Sequence, residues 1–122
     1  MIRENKYDLE ERLIDFAVII SDIVEKLPET RLGNYLAGQL VRSGCSPALN
    51  YGEAQAAESR NDFIHKMKII LKELRESLIS LKIIERKKIF KTETVLAVKD
   101  ECNQLVSIFV KSIETAKKNN IK

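Results

Sequence analysis

The residues of this chain best equipped for chemistry are cations. Between positions 82 and 91 stand Lys82, Arg86, Lys87, Lys88 and Lys91 against one acid, Glu85. That local charge of +4 exceeds the formal charge of the whole 122-residue chain, +3. Clustered Lys and Arg are what a phosphate backbone requires, because each neutralised phosphate releases condensed counterions. The same cations also suit the C-terminal dipole of a helix, so a solvated helix end explains them without a ligand. Lys26 and Arg31 join the run in space if the chain folds back on itself as argued below, and Tyr35 and Phe90 offer aromatic faces for stacked bases nearby.

Enzymatic chemistry has little to work with. His65 is the only histidine, and the two cysteines, Cys45 and Cys102, lie far apart and outside any CxxC. A metal needs three or four converging ligands, so neither a metal nor another cofactor is expected. Phosphate-binding glycine loops, dinucleotide fingerprints and nucleophile elbows are absent from the sequence. The carboxylates sit beside cations, as in Lys72, Glu73, Arg75 and Glu76, the ordinary patterning of a solvated helix. No catalytic residue is assigned and no enzyme is expected. The charged start, MIRENKYDLEER, shows no secretory signal, and no run approaches the roughly 18 apolar residues of a membrane span. Two reduced thiols in a cytoplasmic protein fit this pattern.

A second polar set is Arg42, Asn50 and Glu53, which with Ser46 lie along one helix face. If that face is buried, Arg42 must find a partner, because an unpaired buried charge is very costly. Glu53 is a candidate, through Asn50 or across a subunit boundary. Such a network would fix helix or subunit register; direct contact with a ligand is the other reading.

The elements that must position these residues are helices. Charged residues make up 32% of the chain, yet from Leu32 to Gly52 the only formal charge is Arg42. This stretch holds all four glycines, Gly33, Gly38, Gly44 and Gly52, and Pro47, one of two prolines. Leu32, Leu36 and Leu40 form one helical line; Ala37, Val41, Gly44 and Ala48 form another. Each Gly costs a helix about 1 kcal/mol against Ala, so packing must hold it. The pattern predicts a central helix buried over most of its circumference, with small residues admitting close neighbours. Pro47 either bends one helix or opens a second one capped by Ser46; the apolar phase from Val41 to Tyr51 favours a single helix.

Around it, Leu9, Leu13, Phe16, Ile20, Ile23 and Leu27 make a heptad-like seam. A third seam is Phe63, Met67, Ile70, Leu74, Leu78, Leu81 and Ile84; a fourth is Val95, Val98, Cys102, Leu105, Phe109, Ile113 and Ala116. Asp8 with Glu11 and Ser59 with Asp62 read as helix caps, Thr92 as a further cap, and Pro28 as a stop. Helices are therefore expected over residues 8–27, 29–55, 59–85 and 92–117, followed by a basic, frayed tail from Lys117 to Lys122. Residues 1–122 make a single all-α domain, an up-down-up-down antiparallel four-helix bundle. Ile14, Val18, Ile79 and Ile83 fall off the seams, and a lone protomer would leave them wet. They are the expected oligomer interface.

The segments Tyr7–Ala17, Leu27-Pro28 and Gln39-Leu40-Val41-Arg42-Ser43, with Ser46, Asn50 and Glu53, resemble the four-helix-bundle proteins encoded in 23S rRNA intervening sequences. These are sometimes labelled a ribosomal protein, and their fold is similar to that of the accessory variability protein of diversity-generating retroelements. The resemblance spans nearly the whole chain. It implies a four-helix protomer in a ring-like homopentamer, with RNA or DNA as the ligand and no enzymatic activity. Pro47 stands where the family usually has a branched aliphatic residue, and Ala54-Gln55 replace a small or Gly position. The competing reading is an adaptor that binds another protein on the same apolar surfaces.

Overall fold

The computed structural model describes residues 8–120. Tyr7 of the family-like segment and the last two residues of the basic tail lie outside the described residues. The chain forms α1 (Leu9–Lys26), α2 (Arg31–Gln55), α3 (Arg60–Lys87) and α4 (Thr92–Asn120).

Side chains close the helix starts. The Asp8 carboxylate accepts from the Glu11 N–H (3.3 Å), Thr30 Oγ1 from Gly33 (3.0 Å) and Ser59 Oγ from Asp62 (3.0 Å). Each satisfies one of the orphan amides of a first turn. Thr92, expected as a cap, is instead the first residue of α4, and the Val95 N–H bonds the Lys91 carbonyl at 3.1 Å. α4 also continues to Asn120, so the tail expected from Lys117 is helical over most of its length. At the end of α3, Lys88 takes φ 55° and ψ 42°, the one non-glycine in the left-handed region among the described residues. It allows the Ile89 N–H to return to the Ile84 carbonyl at 3.4 Å, a Schellman-type close.

Four-residue links, 27–30, 56–59 and 88–91, join helices that pack on one another, and so short a link makes each pair antiparallel. α1 packs on α2, α2 on α3 and α3 on α4, while α1 meets α4 only lightly. The diagonal pairs do not approach backbone to backbone and meet only through side chains, as where the Tyr51 ring of α2 stands edge-on to Phe109 of α4 with centroids 5.9 Å apart. The core is built by Leu13, Phe16, Ile20 and Ile23 of α1, Leu36 and Leu40 of α2, Ile70, Leu74, Leu81 and Ile84 of α3, and Val95, Cys102, Leu105 and Phe109 of α4. These are the residues of the sequence-predicted seams. The α3 seam departs at two positions: Phe63 and Leu78 are only half-buried, while Glu73, Ser77 and Ser80 are buried.

α2 is one helix through Pro47, whose ring is buried. Its surroundings differ from the expectation of burial on most sides. Val41 and Leu49 are exposed, as are Tyr35, Gly38 and Gly52, because only the backbones of α1 and α3 lie close along α2 within one protomer. Two of its glycines mark close approaches. A methyl group on Gly44 would sit 2.5 Å from Cγ2 of Ile20, and one on Gly33 would sit 1.9 Å from the Pro28 carbonyl oxygen. Gly38 and Gly52 face open space, so the expected role of all four as packing points holds for two.

Gly44→Ala must therefore push α1 off α2 and should lower stability by about 1–3 kcal/mol. Gly38→Ala should raise it by about 0.5–1 kcal/mol through helix propensity alone. Urea denaturation followed by circular dichroism reads both, and equal effects would contradict this assignment.

Candidate nucleic-acid interface

The antiparallel topology gathers the end of α1, the start of α2, the end of α3 and the start of α4 at one end of the bundle. Six of the sequence-predicted cations stand exposed there: Lys26, Arg31, Arg86, Lys87, Lys88 and Lys91. Lys82 is half-buried about one turn further down α3. No side chain of the seven bonds to or pairs with another described residue. Glu85, the acid within the run, is taken by Lys99 of α4 at 2.5 Å and so does not neutralise its neighbours. Glu25, Glu29 and Glu93 are exposed at the same end and reduce the field without closing it. Of the two aromatic residues, Tyr35 is 64% exposed one turn beyond Arg31. Phe90 packs against the core and presents only part of its ring.

Arg42, Asn50 and Glu53 do not form one network. Arg42 reaches across to α3, with Nη1 on Glu73 and Nη2 on Glu76, each at 2.5 Å, and Gln39 at 3.4 Å. Asn50 Nδ2 donates to Ser46 Oγ at 2.7 Å, within its own helix. Glu53 accepts from Lys66 of α3 at 2.8 Å. The reason is distance: eleven positions along a helix rise about 16 Å, too far for Arg42 to meet Glu53. Arg42 is itself exposed, whereas Glu73 is 6% exposed, so the cation serves a buried carboxylate from its solvent side. Hydrogen bonding to Glu76, with the charge of Glu73, raises the guanidinium above its ordinary pKa. Deeper between the same helices Ser77 Oγ donates to Ser43 Oγ at 2.8 Å. These polar links were hidden in the sequence because Glu73 and Glu76 sit in a run that reads as solvated.

Ion pairs also tie the other helices. Arg12 of α1 grips Glu101 of α4 with Nε at 3.1 Å and Nη2 at 2.6 Å, bridging the lightest contact of the bundle. Beside it, at the end opposite the basic cluster, lies a groove of about 980 Å³ bordered by Leu9, Tyr51, Phe63, Met67 and Lys111. No sequence pattern announced it. Its titratable lining is Arg12, Tyr51, Glu58, Arg60 and Lys111, of which Arg12 is committed to Glu101, and burial raises the Tyr51 hydroxyl above its ordinary range.

His65 is exposed. Among the described residues no three His, Cys, Asp or Glu converge as metal ligands. No helix is long and apolar enough to cross a membrane among the described residues. Ile14 (40% exposed) and Val18 (54%) lie on α1, and Ile79 (55%) and Ile83 (38%) on α3, two helices whose backbones do not adjoin.

Both cysteines are free. Cys102 is buried, its Sγ–H pointing to the Leu74 carbonyl at 3.2 Å, and burial pushes the thiol from 9.0 up to about 12. The unfolded thiol therefore loses its proton first as pH rises. Stability present below pH 9.0 is lost between there and about 12. Denaturation measured from neutral pH to mildly alkaline pH should show an alkaline loss that is reduced in Cys102→Ala. Identical pH profiles for the two proteins would contradict the burial of this thiol.

The model of the 23S rRNA-intervening sequence protein family matches residues 5–111. A solved protein of unknown function from the S23 ribosomal protein family of Bacteroides thetaiotaomicron is 28% identical, with a TM-score of 0.80 over 86% of this chain and 97% of that one. No curated protein matches the chain. With the family pattern spanning most of the sequence and the four helices superposing on a solved member of the S23 group, the chain belongs to the 23S rRNA-intervening sequence protein family.

Proposed function

We propose that this protein is a non-enzymatic, self-assembling cytoplasmic protein that binds RNA or DNA through backbone charge at the basic end of its bundle. The observation that carries the reading is the convergence of Lys26, Arg31, Arg86, Lys87, Lys88 and Lys91 there, all exposed and none paired with a described residue. Lys88 adds to it. Its left-handed backbone costs an L-residue about 1–2 kcal/mol and is the usual place for glycine. The backbone conformation therefore does not favour a lysine there; the C-terminal dipole of α3 does, and a phosphate ligand would use the same charge. The family's association with 23S rRNA intervening sequences is in keeping with a nucleic-acid partner.

One protomer offers few phosphate contacts and would bind weakly. In a homopentamer the patch recurs five times, so contacts to one long strand add through effective concentration. The exposed apolar pairs Ile14–Val18 and Ile79–Ile83 favour self-assembly, since burying them gains about 25 cal/mol per Å² of apolar surface before the costs of association. The same pairs support a second reading, an adaptor that holds another protein without nucleic acid. The two readings differ in salt response, because phosphate neutralisation falls steeply with salt and apolar contact does not.

The test is titration of labelled RNA and DNA of several lengths at low and moderate salt. Binding should strengthen with length, weaken steeply with salt and show little sequence preference. Changing Arg86, Lys87, Lys88 and Lys91 together to Gln should lower both the affinity and the salt slope. Lys88→Gly should weaken binding while stabilising the fold by about 1 kcal/mol. No binding at low salt would refute the reading; binding untouched by the fourfold change would place the site elsewhere, such as the cations near the end of α4.

A further inference from the structure

α1 and α3 run in the same direction, because each is antiparallel to the α2 between them. Their backbones do not adjoin within one protomer, and each turns an exposed apolar pair outward, Ile14 with Val18 and Ile79 with Ile83. Contacts of the same helices give those pairs a direction. Ile20 of α1 lies against α2 at Gly44, and Arg12 reaches α4 at Glu101. Ser77 of α3 meets α2 at Ser43, and Glu85 meets α4 at Lys99. At about 3.6 residues per turn, both apolar pairs point away from the core and lean roughly 20° toward the α2 side. The two faces are therefore less than half a turn apart. Copies joined α1 to α3 form a row that curves toward α2.

The charges beside the two pairs are opposite. Asp22 and Glu25 continue the α1 stripe, exposed, while Lys82, Arg86 and Lys87 border the α3 pair. No side chain of these five bonds to another described residue. We propose that α1 of one copy docks parallel along α3 of the next, with Ile14 on Ile79 and Val18 on Ile83. Asp22 then comes level with Lys87 and within a turn of Lys82 and Arg86. The proposal rests on the self-assembly reading above and gives it an interface. The parallel direction is the one a ring of more than two copies allows, because rotation about a single axis by less than half a turn does not invert a neighbour. Sliding by one turn keeps only one apolar layer. It sets Ile14 against Arg75 and Asp22 against Ile83, or Val18 against Lys87 and Glu10 against Ile79. In the proposed register Glu11 comes level with Glu76, a carboxylate already held by Arg42. Charge and apolar layers together select this register.

The contact is heterologous: each copy gives an α1 face to one neighbour and an α3 face to another. All copies point their basic ends the same way. Lys26, Arg31, Arg86, Lys88 and Lys91 of successive copies therefore gather on one face of the ring, with Lys87 at its border. α2, which exposes Tyr35, Val41 and Leu49, lines the inner side.

Oxidative cross-linking reads the register. Two proteins carry Cys45→Ser; one adds Val18→Cys with Ile83→Cys, the other Val18→Cys with Ile79→Cys. Circular dichroism checks that helicity is kept. Light scattering at micromolar concentration should find the unaltered protein larger than a dimer. On a non-reducing gel the first protein should give a ladder of covalent oligomers that ends at the size of the assembly. The second should cross-link at least about tenfold less. Independently, Asp22→Lys should weaken assembly about tenfold by facing cations with a cation, and adding Lys82→Glu to it should restore assembly. That swap decides the matter if the cysteine proteins no longer assemble. A protein that assembles yet cross-links through the Ile79→Cys variant as readily, or cross-links in neither, has a different interface, as does one whose charge swap restores nothing; self-assembly then stands. A protein that remains monomeric on concentration overturns both.

Discussion

The close approach of α1 to α2 at Gly44 is the constraint on which the rest of the structure depends. Ile20 lies where any side chain at position 44 would have to go, so α1 is seated directly on the backbone of α2. On the adjoining side of α2, Ser43 is buried and meets Ser77 of α3 through a short hydroxyl bond. Two neighbouring helices thus close on α2 through its smallest residues, and large apolar side chains fill the interior on either side. α2 contributes few of the bulky core residues and decides where the helices that carry them can stand. Its glycines weaken it as an isolated helix, which makes its order a product of tertiary packing.

Around that spacer the charges are sorted by task. Arg12 with Glu101, Glu53 with Lys66, Glu85 with Lys99, and Arg42 with Glu73 and Glu76 all cross between helices. Exposed ion pairs are worth little individually, about 0–1 kcal/mol, so most of these specify register more than they add stability. Glu73 differs, because its carboxylate is nearly buried and would be left without a counter-charge if Arg42 were absent. What these pairs leave over is ordered. Uncompensated cations collect at one end, and the outer faces of α1 and α3 carry opposite signs beside exposed isoleucine and valine.

Much of the architecture was legible in the residues. The seams of Leu13, Phe16, Ile20 and Ile23, and of Val98, Cys102, Leu105 and Phe109, follow from helical period, and they are the core. Period also separated Ile14, Val18, Ile79 and Ile83 from that core. Period says which face of a helix is apolar, however, and not which neighbour that face will meet. Period therefore matches Arg42 to Glu53, through Asn50 or across a subunit boundary, while its partners are Glu73 and Glu76 of α3. Likewise residue type made all four glycines look alike, although only the crossing of α1 separates Gly44 from Gly38. The basic run from Lys82 to Lys91 was plain in sequence; the pairing of its one internal acid, Glu85, with Lys99 is a contact made only by folding.

The central claim is that a polyanion lies against the basic end of the bundle. Hydrogen–deuterium exchange of the full chain, with and without a long RNA at low salt, tests it by location. The account predicts slower exchange in the 27–31 and 86–92 segments when RNA is present, with the opposite end around residues 56–60 unchanged. Protection confined to the opposite end, or no protection under conditions where RNA is bound, would contradict it.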